Sequence, residues 1–593
     1  MKSKIKYDNI DIMETKDKLH NLRHSLAHLL AAAVLEIYPD TKNTIGPSIE
    51  DGFYYDFDFK NPVSDKDLPK IEKKMREILK SWKEFRSEEK TEKEAKEYFS
   101  KNEYKLELIK EINEKGEKIT FYTCGKFTDL CRGGHLENPA KEIKPDSFKL
   151  DHVAGAYWRG SEKNKMLTRI YGLAFEIKEK LDEYVKMREE AEKRDHKKLG
   201  KELDLFIFSP LVGPGLPLWT PKGTIMREEL NNFVWDLRKT KNYEKVTIPH
   251  ITKKELYEKS GHWEKFANDL FKIITREGKE YALKPMNCPH HTQIFCHLQR
   301  SYRDMPQRYA ETTMVYRDEQ SGELGGLTRV LSITQDDAHV FCRTSQIREE
   351  FFDIWDMINT FYKTFGFSLR VRLSFHDPKH FEKYLGTAEI WKNAEKTLED
   401  IAKEKKADYF IGVGEAAMYG PKLDFMAKDS LGREHQVATV QLDMNLPERF
   451  DLFCINEKGE QERIVMLHCA IMGSIERFSA VLLEHLNGVL PLWLSPVQVK
   501  VIPVRENHNK YAKNVFELLK ENNIRVQLDD ADANLGSKVR DAKNKKIPYW
   551  IVVGDKEIES KKVMLESRDA GQLGQISQKE LVTKLLEEIK NKK

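Results

Sequence analysis

The sequence lacks several features that would place it in a special class of protein. No stretch approaches the roughly 20 consecutive apolar residues that a membrane-spanning helix needs, so we expect no membrane partner. The first residues, MKSKIKYDNIDIMETKDKLH, contain no apolar core of a signal peptide, which argues against export. Cysteine is scarce: seven residues, an odd number spread along the chain, argue against a disulfide framework and favour the reducing cytoplasm.

What the chain has is the composition of an ordinary globular protein. Apolar residues make up 40% and charged residues 33%, which excludes a disordered or fibrous chain. At about 150 residues per domain, the length of 593 residues predicts about four domains rather than one core. The net charge is only +3, and its basic excess lies in residues 495–593, which is compatible with a polyanionic partner such as RNA.

Composition and periodicity divide the chain into four segments. Residues 1–178 open with an amphipathic helix and the alternating run GFYYDFDF, a half-buried strand. Residues 179–197 read as a charged connecting helix that Gly200 closes as a C-cap. After a Pro- and Gly-rich loop, residues 198–494 mix strands and helices without βαβ alternation, which favours an antiparallel or mixed sheet. Residues 495–593 do alternate, and they predict a small α/β domain of roughly five strands.

Two pairs of coordinating side chains stand out in the first segment. His24 and His28 are four residues apart, so a helix places both imidazoles on one face. Cys131 and His135 repeat that spacing within DLCRGGH. Residue 25 is serine rather than glutamate, so the zinc-protease pattern fails. Together the four residues could form a metal site or a hydrolytic site.

These motifs and a second set resemble a known family. HxxxH with CxxxH, GPSIEDGFYYDFDF between them and VAGAYWRG after them are similar to the editing domain shared by threonyl- and alanyl-tRNA synthetases. Pro249 in KVTIPHI, Arg317 and Glu319 ahead of GELGGLTRV, and Arg477 in GSIER resemble motifs 1, 2 and 3 of class II aminoacyl-tRNA synthetases. The ordered set KPMNCPHH, TQDDAHVF, GEAAMYGPKLDF, ATVQLD and LHCAIMGSIERF resembles the threonyl-tRNA synthetase family specifically.

The resemblance implies a fold and an activity. The implied fold is multidomain, α+β and α/β: a class II catalytic core on an antiparallel sheet, an α+β editing domain and a C-terminal α/β anticodon-binding domain. The implied reaction joins L-threonine to threonine tRNA, with ATP and through a threonyl-adenylate, and hydrolyses mischarged seryl-tRNA. Motif 1 implies a homodimer. Bacterial members often begin with a ubiquitin-like domain, for which we expect no room before His24.

Roles in amino-acid activation follow from the same resemblance. Cations must neutralise charge that develops on the phosphates, and the planar donor fork of arginine suits that task. Mg²⁺ is expected to bridge the phosphates of ATP. The residues implied to bind ATP and to promote activation are Arg317, Glu319, Arg329, Lys422, Gln436 and Arg477.

Threonine recognition implies a metal. Valine has nearly the shape of threonine, and an apolar pocket separates such isosteres by only ~10²-fold. Zn²⁺ with three protein ligands leaves positions for the amino group and hydroxyl of threonine. The resemblance implies one Zn²⁺ per subunit, held by Cys288, His339 and His468. From the residues alone, Cys288 reads as a buried thiol, and His290 and His291 compete as ligands. The implied pocket walls are Gln335, Asp337, Tyr419 and Gln441.

Serine keeps both groups that the metal would bind, so a second site must reject it. Its missing methyl is worth only ~1–3 kcal/mol, about 10–200-fold. The residues implied to hydrolyse mischarged serine are His24, His28, Lys105, Asp129, Cys131 and His135. We expect that this site needs no metal, with a metal as the alternative. Arg540 and Glu557 are the implied contacts to anticodon bases, with surface ion pairing as their alternative role.

Several positions depart from the family pattern. Ile333 stands where a phenylalanine normally stacks on adenine, Leu331 where arginine is frequent and Gly325 where histidine is frequent. We expect weaker ATP binding or compensation by a neighbouring ring. Glu566 replaces an arginine that commonly contacts the anticodon, and Cys469 follows the metal histidine where arginine is frequent.

Two other functions compete with this hypothesis. A non-catalytic paralogue that binds RNA would explain Ile333, but it would need neither Arg317 nor Arg477 nor the three zinc ligands. A metal-dependent hydrolase would confine all activity to residues 20–178.

Overall fold

The computed structural model describes the backbone of residues 2–593 and the side chains of residues 17–320 and 322–593. The chain folds as two units, one ending at Glu189 and one comprising Glu190–Lys593. In the described part of the chain, no helix is both long enough and apolar enough to cross a membrane. The finer division into four segments stays a prediction.

The first unit is an α+β fold in which a long helix packs on a sheet. The helix Lys2–Ile37 buries Leu26, Leu30 and Val34, one turn apart, against the sheet. The strands of the five-stranded sheet are Lys42–Asn43, Ser48–Ile49, Gly52–Asp58, Phe148–Tyr157 and Met166–Ala174. The strands of a three-stranded sheet are Arg86–Glu89, Thr120–Cys124 and Phe127–Leu130. The further helices are Leu68–Leu79, Glu92–Tyr98, Glu103–Glu114, Pro139–Glu142 and Lys178–Lys193.

The second unit is built on an eight-stranded mixed sheet. Its strands, in spatial order, are Glu244–Lys245, Gln307–Tyr316, Ser332–Cys342, Val465–Ser474, Glu434–Asp443, Lys422–Lys428, Ser368–Phe375 and Tyr409–Val413. Only the first and last neighbouring pairs are parallel, so the expectation of an antiparallel or mixed sheet is confirmed. The main helices of the shared core are Pro221–Lys239, Ile347–Thr364, Ala388–Glu404 and Ile475–His485.

Smaller elements surround this sheet. A three-stranded sheet consists of Ile251–Lys253, Glu280–Leu283 and Lys272–Ile274. Two-stranded ribbons pair Phe206–Ile207 with Leu218–Trp219 and Phe453–Ile455 with Gln461–Arg463. The short helices are His196–Glu202, Lys254–Ser260, His262–Lys265, Cys288–Cys296 and Asn445–Arg449.

The end of the chain forms the expected α/β layer of five strands. Their order is Val526–Leu528, Val499–Pro503, Tyr549–Val553, Lys562–Ser567 and Gly571–Ser577, with the first three parallel. The helices are Asn509–Glu521, Leu535–Asn544, Asp555–Ser560 and Gln578–Lys590. A separate apolar cluster centred on Val501, Val515 and Ile551 fills this layer.

The connecting helix differs from the prediction. It ends at Lys193, and a second helix begins at His196, because the Asp195 side chain accepts hydrogen bonds from the amides of Lys197 and Lys198. Gly200 lies inside this second helix, so the predicted C-cap is wrong. A Cβ at Gly200 would lie 2.2 Å from the Phe206 ring, so close packing explains the glycine.

We expect Gly200→Ala to lower the melting temperature. Overpacking against Phe206 costs about 1–3 kcal/mol, which exceeds the ~1 kcal/mol that alanine gains in a helix. Gly536→Ala is the matched control, since its Cβ would meet nothing closer than 3.5 Å. Thermal denaturation followed by circular dichroism checks both variants, and equal melting temperatures would contradict the packing explanation.

Candidate active sites

Two adjoining clefts open over the middle of the eight-stranded sheet. The first cleft is lined by six of the predicted residues: Arg317, Glu319, Arg329, Gln335, Gln436 and Arg477. The second is lined by Arg317, Tyr419, Lys422, Gln436 and Gln441. Because Arg317 and Gln436 line both, the clefts are contiguous. The arrangement can hold a polyanion next to a small polar molecule, with Arg317 reaching both.

A buried carboxylate fixes the strand that carries Gln335 and Asp337. The ladder between Ser332–Cys342 and Val465–Ser474 shifts register between these two residues. Asp336 between them accepts hydrogen bonds from the amides of Ile471 (2.8 Å) and Met472 (3.1 Å), which the shift frees. Burial raises the pKa of Asp336 to about 6. The shifted ladder thus aims both neighbours to the side of the sheet that bears the clefts.

A second buried carboxylate orients Lys422 and Gln436. Asp424 is fully buried, and its Oδ2 lies 3.0 Å from Lys422 Nζ and 2.9 Å from an Arg372 nitrogen, while Gln436 Nε2 donates to its Oδ1 at 2.9 Å. Sequence reasoning missed Asp424, although it lies in GPKLDF. The only signal was an acidic residue at an inward position of an apolar strand.

In the loop after Arg317, a cation is already paired. Arg329 donates to Glu319 Oε2 at 2.9 and 2.6 Å and to Glu323 at 3.1 Å. The pair lies at the edge of the first cleft, and about half of the Arg329 side chain is exposed. Glu319 and Arg329, the two residues of this loop that were predicted to bind ATP, are therefore paired with each other.

Cys288, His339 and His468 converge behind Tyr419, a residue that lines the second cleft and stacks on His468, with all three ligand atoms within 4.8 Å of one another. His339 and His468 face each other on neighbouring antiparallel strands, and Cys288 begins the helix Cys288–Cys296. His339 Nε2 lies 3.1 Å from His468 Nδ1. All three residues are buried, and burial raises the pKa of the Cys288 thiol and lowers the pKa of His339.

A further aspartate sets the tautomer of this cluster. Asp443 Oδ2 lies 2.9 Å from His468 Nε2, so Nε2 carries the proton and Nδ1 keeps its lone pair towards Cys288 and His339. His291 contacts His339 (Nδ1 to Nδ1, 2.8 Å), whereas both ring nitrogens of the buried His290 lack a hydrogen-bond partner. Neither competing histidine joins the cluster. No spacing in the sequence pointed to Asp443, because its partner comes from another strand.

Some residues predicted to form the threonine pocket contact the cluster of Cys288, His339 and His468, which we call the metal-type cluster, and others line the second cleft. Asp337 Oδ1 lies 3.8 Å from His339 Nε2, and Asn287 donates to its other oxygen at 2.9 Å. Tyr419 donates to Gln441 at 2.7 Å and stacks on His468. These side chains connect the cluster to the open cleft.

In the first unit, His24, His28, Cys131 and His135 also come together, with their ligand atoms within 4.8 Å. Cys131 Sγ lies 3.6 Å from His24 Nε2 and 3.3 Å from His135 Nε2. Burial lowers the pKa of all three histidines, that of His135 to about 2, and raises the pKa of Cys131 to about 11. Near neutral pH the three imidazoles and the thiol are therefore uncharged.

A buried ion pair adjoins these imidazoles. Lys105 Nζ lies 2.5 Å from Asp129 Oδ1, and both side chains are at most 2% exposed. His28 Nδ1 lies 3.7 Å from the other carboxylate oxygen, to which Tyr55 donates a hydrogen bond. Sequence reasoning missed Tyr55, which is one of several aromatic residues in GFYYDFDF and stood out in no way.

The two predicted anticodon contacts lie in different surroundings. Arg540 is exposed on the helix Leu535–Asn544. Glu557 is buried, and it accepts hydrogen bonds from the Gly554 amide (3.0 Å) and Gln575 (3.1 Å) within its own domain.

The departures from the family pattern have local partners. Ile333 lines the first cleft, as does Phe478. Leu331 packs against Gly215 and occupies the space that a side chain at position 215 would need. Glu566 accepts a hydrogen bond from Trp550 Nε1 at 2.9 Å. Cys469 lies 3.7 Å from the Tyr243 hydroxyl.

Lys105→Met should strongly destabilise the first unit. Removing one partner of a buried ion pair costs about 3–5 kcal/mol, since the other charge stays buried and unpaired. The double variant Lys105→Met/Asp129→Asn should recover most of the loss. Lys118→Met, which breaks an exposed pair with Glu89, serves as the control and should melt like the parent. Thermal denaturation measures all three, and a double variant no better than the single one would refute this account.

Comparison with known proteins agrees with this geometry. Three family models match: the class II core domain of the G, H, P, S and T tRNA synthetases (271–486), an anticodon binding domain (498–588) and the threonyl and alanyl tRNA synthetase second additional domain (119–171). The threonine–tRNA ligase of Deinococcus radiodurans is 48% identical, over 92% of this chain and 85% of its own, and that of Porphyromonas gingivalis is 49% identical over 94% and 85%.

Solved structures agree as well. A crystal structure titled as the RNA binding domain of threonyl-tRNA synthetase from Cryptosporidium parvum matches with a TM-score of 0.64 and 38% identity, over 66% of this chain and 98% of that one. A putative threonyl-tRNA synthetase from Aeropyrum pernix matches with a TM-score of 0.60 and 29% identity, over 67% and 97%. The chain therefore belongs to the threonyl-tRNA synthetase family.

Proposed function

We propose that this chain activates L-threonine with ATP and transfers the threonyl group to threonine tRNA. The observation that carries the proposal is the contiguity of the two clefts: Arg317 lines both, Arg477 lines one, and Tyr419 of the other stacks on His468 of the Cys288 cluster. One cleft suits a nucleotide and the other a small amino acid. Retention of these side chains favours an enzyme over a paralogue that only binds RNA.

The reaction has two steps, and the carboxyl group of threonine takes part in both. A threonine carboxylate oxygen attacks the α-phosphorus of ATP, and pyrophosphate leaves; Mg²⁺ would accompany ATP and offset the charge of its phosphates. A ribose hydroxyl at the 3′ end of tRNA then attacks the threonyl carbonyl, and AMP leaves. Arg317 holds the α-phosphate and the carboxylate in line, a role supported by its position in the lining of both clefts, while Lys422 and Arg477 offset negative charge. Glu319, Arg329 and Gln436 bind the rest of ATP, once Arg329 leaves its carboxylate partners.

Zn²⁺ fits the cluster of Cys288, His339 and His468 behind Tyr419 of the second cleft. A thiol and two imidazoles form a typical three-ligand set, and Asp443 already directs the His468 lone pair inward. Bound there by Cys288, His339 and His468, Zn²⁺ would supply open positions for the amino group and hydroxyl of threonine. Gln335, Asp337, Tyr419 and Gln441 would orient the same substrate.

Removal of the metal should abolish the preference for threonine over valine. In pyrophosphate exchange, the parent loaded with one zinc per chain should activate threonine far better than valine, whereas stripped protein should show no such preference. Asp443→Asn should weaken zinc binding about 10–100-fold, because His468 loses its acceptor.

Asp451→Asn is the matched control, as an exposed aspartate whose loss should leave zinc content unchanged. Stripped protein that still prefers threonine would rule out the proposed role of the metal.

We further propose that the His24–His135 cluster hydrolyses seryl-tRNA without a metal. Its uncharged imidazoles can accept a hydrogen bond from the attacking water and orient it, and the buried Lys105–Asp129 pair holds His28 in place. A bound metal is the alternative, since the same four side chains could ligate one.

His28→Ala should lower seryl-tRNA hydrolysis by about 10²-fold or more while threonine activation is kept. His152→Ala, on the surface of the same unit, is the control and should hydrolyse normally. The assay is deacylation of purified seryl-tRNA, with and without a chelator. Loss of hydrolysis on chelation would favour the metal alternative instead.

The remaining proposals concern partners and place. We propose a homodimer, in support of which the segment 207–211, ahead of the helix Pro221–Lys239, exposes Ile207, Phe208 and Leu211. Mass measurement in solution tests it.

Arg540 is the better candidate for an anticodon contact, since it is exposed and Glu557 is not. The seven cysteines are free thiols, which suits charging of tRNA in the cytoplasm.

A further inference from the structure

His196 is a buried histidine that none of the roles above uses. It begins the short helix His196–Glu202 and is 5% exposed. With Asp195 and Glu484 it forms a third group of ligand-type side chains. The group is already saturated by the protein itself, because Asp195 caps the helix and both ring nitrogens of His196 have partners.

One side of the imidazole is tied to the helix Ile475–His485. His196 Nδ1 lies 2.7 Å from Glu484 Oε1, and the His196 amide donates to the same oxygen at 3.2 Å. Arg433 donates to the other Glu484 oxygen at 2.6 Å. An ionised carboxylate only accepts, so Nδ1 carries the ring proton and Nε2 has a free lone pair.

The other side of the imidazole receives the loop that follows Arg317. The Leu327 amide donates to His196 Nε2 at 3.1 Å, and the Leu327 side chain is fully buried. The neighbouring Gly326 has φ +58°, and a Cβ there would lie 2.4 Å from Nε2. The loop backbone therefore passes so close to Nε2 that only glycine fits at position 326.

The two elements that His196 joins both line the first cleft, which we call the nucleotide cleft. The loop supplies Glu319, Thr328 and Arg329, and the helix supplies Arg477 near its start. Without the Nε2 acceptor, the buried Leu327 amide would have no partner, and the loop would lose its polar anchor to the helix.

We propose that His196 is a positioning residue for ATP, holding the loop of Glu319 and Arg329 in register with the helix of Arg477 through the Leu327 amide. This inference rests on the proposed function of the cleft. His196 touches no substrate. Its effect should be confined to the nucleotide, because the metal cluster and the threonine pocket lie on other elements.

Two substitutions separate the two hydrogen bonds of the ring. His196→Gln can place an oxygen near the Nε2 position and keep the acceptor for Leu327. His196→Asn can keep a donor near the Nδ1 position for Glu484 but cannot reach Leu327. We expect His196→Asn to raise the KM for ATP in threonine-dependent pyrophosphate exchange about 10–100-fold, from the cost of an unpartnered buried amide. His196→Gln should restore most of it, with the KM for threonine and the zinc content unchanged in both.

His485→Asn is the matched control. His485 follows Glu484 at the end of the helix Ile475–His485; it accepts a hydrogen bond from the Ser430 amide and contacts the Phe365 carbonyl. It should lower the melting temperature as His196→Asn does, without raising the KM for ATP. Equal effects of the two histidine-to-asparagine variants would reduce His196 to a general stabilising residue and overturn the proposal.

Amide hydrogen exchange gives a readout that does not depend on activity. In the ligand-free full chain, peptides covering residues 322–330 should exchange about tenfold faster in His196→Asn than in the parent, His196→Gln or His485→Asn. Unchanged exchange there, or no rescue by glutamine, would overturn the proposal even if the parent charges tRNA. A parent that exchanges no pyrophosphate would instead refute the proposed function, with the loop anchoring still decided by hydrogen exchange.

Discussion

The pairing of His339 with His468 across two antiparallel strands is the constraint on which the catalytic unit depends. Side chains directly opposite each other in such a ladder lie close enough to share one small ligand. The same two strands carry Gln335 and lead into the helix of Arg477, so one register sets the metal-type cluster and the nucleotide cleft together. A slip of one strand by one residue would turn its histidine to the opposite face of the sheet and separate it from the other.

Buried aspartates stabilise this register, although the ladder shifts between Gln335 and Asp337. Asp336, Asp424 and Asp443 are all fully buried, and each accepts hydrogen bonds from residues on another strand. A buried carboxylate is costly unless its oxygens are satisfied, so each one specifies the neighbours that it needs. The catalytic unit therefore uses polar groups in its core to orient the residues at its surface.

Sequence patterns were sufficient where the physics is local. The spacing of His24 and His28, the alternating strands and helices after residue 495, and the absence of βαβ alternation before it predicted real features. Patterns failed where partners come from distant strands: nothing local links Asp443 to His468, and only family resemblance brought Cys288 to the histidines. The prediction that Gly200 is a C-cap was wrong for a related reason. Glycine is required there by the ring of Phe206, six residues away, and not by the end of the helix.

The Arg329–Glu319 contact at the mouth of the cleft means that the loop supplies its own anion before any nucleotide arrives. Under the proposed function, ATP replaces Glu319 as the negative partner of Arg329, so the net attraction of this loop for a polyphosphate is smaller than its basic side chains alone suggest. The Glu319 carboxylate would then be free to accept a hydrogen bond from the base. Binding of the phosphates and recognition of the adenine would in this way be linked by the movement of one side chain.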